Sequence, residues 1–322
     1  MPSCIIIGAG MTGLTAARVL QQNGWNITML DKGRGVGGRM ATRRISEARA
    51  DHGAQYFTAR TAEFQQFIAE LTQAGIVREW ALQDTEHRDL SFRHPRFIGV
   101  EGMTGIAKYL ARPLTVHTGE RAIQLSGDEK GCTILTESQH TYHADNLILT
   151  IPAPQALALL NNSSISFPSS EPNVFEAIEY APCFAVMVLL KGGSSIPAPG
   201  VLKFDQGPVA WVADNFQKGI STLTSITIHA SAAYSRQHLE EDLTVVGNQL
   251  IEYLDEWISK EQIESFQVHR WRYSLAVKCF PKAFIAYKTP FSLLLGGDGF
   301  GQSNVEGAFQ SGLQMAHFLL DS

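Results

Sequence analysis

The sequence predicts an α/β chain in two domains: a Rossmann-like dinucleotide domain built from separated segments, and an inserted domain of mixed β-sheet plus helices. Three observations predict it. The chain begins with an apolar β-branched run, a glycine cluster and a helical pattern, CIIIGAGMTGLTAARVLQQNG. It ends on the same scheme, with FSLLLGGDGF leading into NVEGAFQSGLQMAHFLL. Short strand candidates crowd the middle. A nucleotide-type unit at each end of a strand-rich middle is what one domain interrupted by another looks like. The expected boundaries are 1–60, 98–155 and 285–322 for the dinucleotide domain, and 61–97 with 156–284 for the inserted one. With 322 residues, 44% of them hydrophobic, the chain can bury two cores.

The elements follow in order. CIII is the first strand, the helix after it carries Leu14, Ala17 and Leu20 on its apolar side and stops before Gly24, and WNITMLD is the second strand. TAEFQQFIAELTQAG returns to helical spacing through Phe64, Phe67, Ile68 and Leu71. TVHTGERAIQLS, CTILTES, TYHADNLILTIP, FAVMVLL, VAWVADN and TSITIHAS read as strands, KGGSSIPAPG as a surface loop, and LEEDLTVVGNQLIEYLDEWI as one amphipathic helix.

Composition excludes several classes. A net charge of -5 and a pI near 6.1 provide no basic field for nucleic acid or an anionic membrane. Cys4, Cys132, Cys183 and Cys279 form no CxxC pair, so free thiols are expected rather than zinc or a disulfide framework. The ten histidines, His87 among them, show no metal-triad spacing, so no metal is expected. Glycines interrupt the first apolar run and no run reaches the length of a membrane span, so a cytoplasmic protein is expected.

Gly8, Gly10 and Gly13 match G-x-G-x-x-G between strand and helix. The first glycine permits the tight turn, the second lets a pyrophosphate approach the backbone, and the third lets helix and strand pack. Met11 and Thr12 open the helix, whose unpaired N–H groups favour phosphate. Asp31, with Lys32 beside it, stands about 20 residues on, where an acid accepts ribose hydroxyls and disfavours a 2′-phosphate. A bare glycine triplet can also be a turn that merely packs; the strand, helix and acid in register argue against that. Gly37, Gly38, Arg39 and Met40 then provide a second glycine approach and a guanidinium for pyrophosphate charge.

The stretches DKGRGVGGRMATRR and DHGAQYFTAR resemble the flavin amine oxidase superfamily, and within it the renalase-like branch. GVEGMTGIAKYLA, ADNLILTIPAPQALALL and LLLGGDGFGQSNVEGAFQSGLQMAHFLL extend the resemblance along the chain. It implies FAD, with Gly8, Gly10, Gly13, Asp31, Gly37, Gly38 and Arg39 on the ADP half and Val116 and His117 near the adenine. Asp298 falls near the pyrophosphate or ribityl chain, although an ordinary turn acid fits GGDG as well. Asn304 and Val305 present backbone N–H groups to the N1–O2 edge, where a helix N-terminus stabilises the charge of reduced flavin. The C-terminal motif lacks the cysteine of covalent members, so non-covalent FAD is implied.

The resemblance also places a substrate domain over the flavin, with Gln55, Tyr56 and Phe57 following Gly53, where the backbone can approach the isoalloxazine, so these three are expected to bind the cofactor. In HRWRYSLAV, Trp271 and Tyr273 alternate with Arg270 and Arg272, one face for a flat ring and one for solvent. An ordinary half-buried strand gives the same pattern. His229 and His269 are candidate pocket residues, so the candidate catalytic set is Trp271, Tyr273, His269, His229 and Tyr56. Arg43, Arg44 and Arg60 suit substrate phosphates or plain solvent. The implied reaction is oxidation of the 2- and 6-dihydro isomers of NAD(P)H, with O2 as acceptor and hydrogen peroxide as product. Hydride donation by a dihydropyridine needs positioning more than a base, consistent with a sequence that shows no catalytic dyad. An amine oxidase or desaturase on the same fold, and a non-catalytic FAD-binding redox sensor, are the alternatives. Oligomeric state is not legible.

Overall fold

The computed structural model describes residues 1–82, 94–165 and 174–322; His87 lies outside them. The chain forms two compact units, Met1–Gly38 with Ala107–Glu179 and Ala276–Ser322, and Arg39–Ile106 with Tyr180–Leu275.

The first unit is built on a six-stranded sheet in the order Phe284–Lys288, Ser292–Gly296, Asn146–Leu149, Ser3–Ile7, Asn26–Asp31, Thr115–Thr118. All neighbours are parallel except the first pair, a hairpin. A parallel sheet is buried on both faces, which is why its strands read as continuous apolar runs. Ile5, Ile6, Met29, Leu30, Leu147, Leu149, Leu293 and Leu295 are all fully buried. The helices Met11–Gln22 and Val305–Leu320 pack at small residues: a Cβ on Gly312 would lie 2.2 Å from the Thr12 carbonyl oxygen. Both ends of the chain therefore share one sheet and one helix pair. Ala122–Asp128, Gly131–Thr136 and Thr141–Ala144 add a three-stranded antiparallel sheet.

The second unit holds a five-stranded sheet in the order Val201–Lys203, Val209–Asp214, Ser225–Ala230, Glu179–Leu190, Ile263–Lys278. The Glu179–Leu190 strand is sandwiched. Phe184, Val186 and Val188 join the core beneath the Leu243–Glu252 helix, while Met187 and Leu189 meet Ile45, Ala48 and Ala50 of the Thr42–Ile45/Ala48–Asp51 hairpin. The helix Ala62–Gln73 buries Phe64, Ile68 and Leu71 as its spacing predicts.

Three elements differ from the sequence expectation. The strand expected over TYHADNLILTIP is two, Thr141–Ala144 in the antiparallel sheet and Asn146–Leu149 in the parallel one. The single helix expected over LEEDLTVVGNQLIEYLDEWI is confined to Leu243–Glu252, because the Asp242 carboxylate caps it by accepting from Thr244 N (2.8 Å) and Val245 N (3.2 Å). The strand expected over TVHTGERAIQLS is two, Thr115–Thr118 and Ala122–Asp128, parted at Gly119 with φ +75°.

Candidate functional site

In the first unit the dinucleotide fingerprint forms the strand–turn–helix its spacing predicts. Gly8 ends the first strand at φ +110° and Gly10 caps the helix without any side-chain bond. The two later glycines do different work. A Cβ on Gly13 would lie 2.0 Å from the Gly8 carbonyl oxygen, so close packing requires glycine there, whereas a Cβ on Gly10 would meet nothing within 4 Å. The space above Gly10 is open, beside a helix N-terminus carrying buried Met11 and Thr12. Gly37 N donates to the Ala9 carbonyl (2.8 Å), and Gly37 and Gly38 both adopt positive φ, which carries the chain back against Gly10.

Asp31 ends the second strand and ties the cradle together. Its Oδ2 accepts from Ala9 N (2.7 Å) and its Oδ1 from Gly33 N (2.7 Å), leaving one lone pair on each oxygen for a further donor. Lys32 turns away to donate to Gln155 Oε1 (2.9 Å), with its pKa lowered chiefly by burial. Val116 and His117 pair with Met29 and Leu30, and the His117 ring lies 5.1 Å from that of Tyr142. Asp298 follows Gly297 after the Ser292–Gly296 strand. Asn304 caps the last helix, its side chain accepting from Gly307 N (2.7 Å). The Asn304 N–H is bound to the Gln302 carbonyl (3.1 Å), so of the pair it is Val305 that begins the helix with an N–H lacking an intrahelical acceptor.

The remaining expected residues belong to the second unit. Arg39 lies over the Tyr180 ring (5.8 Å) and donates to the Tyr273 carbonyl (3.4 Å), while Met40 is buried. Phe57 is a core residue, paired through its backbone with Phe97 and stacked on that ring. Tyr56 packs on Trp211 (5.7 Å) with the Arg96 guanidinium over its ring.

The Ile263–Lys278 strand divides its faces as the alternation predicts. Arg272 makes a two-point ion pair with Glu240 (2.5 and 2.8 Å), and Arg270 lies over Phe184. His269 and Trp271 lie on the other face, where they meet His52. The His52 ring stacks on Trp271 (5.3 Å, 25°) and stands edge-on to His269 (5.1 Å, 82°). The His52 carbonyl accepts from Trp271 Nε1 (2.7 Å) and His229 Nε2 (3.3 Å). Three of the five candidate catalytic residues, His229, His269 and Trp271, thus converge on one histidine to which the sequence assigns no role. Tyr273 and Tyr56 are engaged elsewhere.

Burial lowers the pKa of all three histidines, to about 3 for His52 and about 4 for His229 and His269. Nearby His269, Arg43 and His229 depress His52 further, and the Ala41 carbonyl opposes them. The cluster is therefore neutral at pH 7. In the unfolded chain these imidazoles take up protons below about pH 6.5, which the folded chain refuses until about pH 4 at His229 and His269 and about pH 3 at His52. Stability is full above pH 6.5 and falls below it, down to about pH 4 for His229 and His269 and about pH 3 for His52, by up to about 1.4 kcal/mol per pH unit for buried His52 and by less for the half-buried His229 and His269. The melting temperature should drop steadily from pH 6.5 to 4.5; a flat profile would mean that these imidazoles are not buried and neutral.

Beneath the cluster lies a buried ion pair that no sequence pattern announces. Lys218 Nζ donates to Asp51 Oδ2 at 2.7 Å, and both side chains have zero exposure. Asp51 Oδ1 also accepts from Thr42 Oγ1 (2.5 Å) and Met103 N (2.9 Å). Among the described residues no cluster of three or more His, Cys, Asp or Glu side chains is arranged to hold a metal, and no helix is long and apolar enough to cross a membrane.

Comparison with known proteins places the architecture. Residues 6–71 match the NAD(P)-binding Rossmann-like domain, and residues 73–319 match the flavin containing amine oxidoreductase family. The chain belongs to the flavin containing amine oxidoreductase family. Within it this flavoenzyme is renalase-like: it is 25% identical over 340 residues to mouse (Mus musculus) renalase, covering 99% of both chains. A lysine-specific histone demethylase 1 homolog 3 from Arabidopsis thaliana is 47% identical, but over 60 residues, 18% of this chain and 4% of that one. The fold is also that of a putrescine oxidase solved with putrescine, at a TM-score of 0.71 and 14% identity, covering 100% of this chain and 99% of that one. The protein is accordingly an FAD-dependent oxidoreductase. Its first unit fits the cofactor on its own geometry, because the open Gly10 cradle, the adjacent helix N-terminus and the Asp31 carboxylate are the groups a dinucleotide requires.

Proposed function

We propose that the enzyme oxidises the 2- and 6-dihydro isomers of NAD(P)H to NAD(P)+, with O2 as the acceptor and hydrogen peroxide as the product. The observation that carries this reading is the uncharged imidazole–indole cluster of His52, His229, His269 and Trp271 with the Arg43 guanidinium near it. A dihydropyridine is flat and neutral, and becomes a cationic pyridinium on losing hydride. Neutral imidazoles do not oppose that charge, and an indole face suits the ring. An amine substrate is an ammonium at pH 7 and calls for a carboxylate, whereas the carboxylate beneath this cluster, Asp51, is already matched by Lys218. The Arg43 guanidinium suits a ligand that carries phosphates.

In this proposal FAD, held non-covalently, supplies the hydride acceptor and returns the electrons to O2. Gly8, Gly10, Met11, Thr12, Gly13, Asp31, Gly37, Gly38 and Arg39 hold its ADP half, with Lys32 and Met40 flanking and Val116 and His117 by the adenine. Asp298, Asn304 and Val305 serve its ribityl and flavin end. Trp271, His269 and His229 orient the substrate with Tyr273 and Tyr56, and the 55–57 segment, Gln55, Tyr56 and Phe57, lies on the flavin side. All four cysteines are free, which suits a cytoplasmic setting.

Anaerobic stopped-flow absorbance tests the reading. The yellow protein should bleach within seconds on mixing with the 2- or 6-dihydro isomers, and not with ordinary NADH or a panel of amines. Bleaching by an amine alone would reassign the enzyme to amine oxidation, and silence from every donor would remove the dihydropyridine reading.

A further inference from the structure

The segment 51–55 is held by its backbone on every side. The Asp51 carbonyl accepts from Gln55 Nε2 (2.6 Å) and Thr227 Oγ1 (2.8 Å), the His52 carbonyl from Trp271 and His229, and the Gly53 carbonyl from Gln55 Nε2 (3.1 Å). His52 N donates to the Ala41 carbonyl (3.1 Å) and Ala54 N to the Arg39 carbonyl (2.8 Å). A Cβ on Gly53 would fall 1.9 Å from that Arg39 oxygen, so only glycine lets the two backbones lie this close.

From this fixed segment Gln55, 7% exposed, presents a buried oxygen with no partner. The identity of that atom is settled by chemistry. Both protein partners of the amide are carbonyls, which only accept, so the end that meets them is the NH2 and the free end is Oε1. A buried acceptor left unpaired is costly, and in native proteins such an atom calls for a donor that the chain does not supply. His52 Nδ1, three residues earlier on the same segment, is likewise buried and unpartnered.

We propose that Gln55 is a specificity-determining residue whose Oε1 accepts an N–H of the substrate's carboxamide. The proposal rests on the dihydropyridine reading above, and it names the group on that substrate that is recognised. The Gln55 side chain is anchored through its own NH2, so its oxygen is oriented before any ligand arrives and little ordering is needed on binding. A site built around such an acceptor discriminates strongly against an analogue that lacks the N–H, because the oxygen then stays buried and unpaired. The flavin also carries an N–H, and the experiment separates these two donors.

The test compares flavin reduction by the 2-dihydro isomer of NAD with reduction by the corresponding isomer of the 3-acetylpyridine dinucleotide, whose methyl ketone keeps the carbonyl and has no N–H. Wild-type enzyme should prefer the carboxamide by at least about 10-fold in kcat/KM. Gln55→Met, of similar length and without the amide, should lose about 10- to 100-fold on the carboxamide and less than about 3-fold on the acetyl compound, so the preference disappears. FAD affinity and the visible spectrum should stay those of wild type. A purely structural role would lower both substrates together and would overturn the proposal, as would a wild-type enzyme that does not discriminate, a result that needs no variant to fold. An altered flavin spectrum or FAD affinity with the preference intact would assign Oε1 to the cofactor and also overturn it. If neither dinucleotide reduces wild-type enzyme, the dihydropyridine reading itself falls and takes this proposal with it; reduction of both at equal rates leaves that reading standing and removes only Gln55.

Discussion

Gly10→Val is expected to yield a folded, colourless protein. A Cβ at this position meets no protein atom within 4 Å, and Gly10 sits at φ -83°, ψ -175°, which any residue adopts. The chain alone therefore has no steric need for glycine here, and only a ligand lying against the backbone creates one. A valine costs the helix its tolerable cap, about 1 kcal/mol. Its two methyl groups occupy the space a pyrophosphate must enter, so FAD affinity should fall at least about 100-fold, or about 2.7 kcal/mol. The ratio of flavin to protein absorbance after purification, read alongside the far-ultraviolet circular dichroism, checks both halves. Full yellow colour would remove Gly10 from the cofactor site. Gly13 is a poor probe by contrast, because a side chain there strikes the Gly8 carbonyl oxygen at 2.0 Å and damages the fold whether or not FAD binds.

Glycines of this kind, the apolar runs and Asp31 are legible in the sequence because they are local signals: each owes its identity to a turn, a helix start or a strand end within some twenty residues of itself. The alternation in HRWRYSLAV is legible for the same reason, since period two places Trp271 and His269 on one face wherever the strand lies. His52 is not. Its position beside Gly53 is visible, but its meaning depends on His229, His269 and Trp271 arriving from distant strands, and no spacing rule links those numbers. Phe57 shares a motif with Gln55, and its ring is packed between Phe64 and Phe97, partners that the motif does not contain. Helix ends escape periodicity where a polar residue outweighs it, as Asp242 does by capping a helix that the apolar pattern alone would begin earlier.

Lys218→Met should destabilise the folded enzyme by about 3 to 5 kcal/mol, because it strands the Asp51 carboxylate, which has no solvent exposure. Lys218 comes from the turn after the Val209–Asp214 strand, lies over the Trp80 ring (5.1 Å), and reaches Asp51 at the end of the Ala48–Asp51 strand. Burial lowers the pKa of the ammonium and the Asp51 charge opposes the shift, so the two groups are stable only together. The carboxylate would keep Thr42 Oγ1 and Met103 N as donors, which holds the loss toward the lower end and corresponds to a fall of roughly 5–10 °C in Tm. Adding Asp51→Asn should recover part of it, since the neutral amide removes the stranded charge. The functional consequence follows from position. Asp51 immediately precedes His52, and its carbonyl anchors Gln55, so loosening the pair loosens both unpartnered groups at once. Below its lowered Tm, the variant should retain FAD yet be reduced by dihydropyridine more slowly than wild type. A Tm within about 1 °C of wild type would show that the pair contributes no net stability, and unchanged reduction kinetics would show that the 51–55 segment holds its geometry without it.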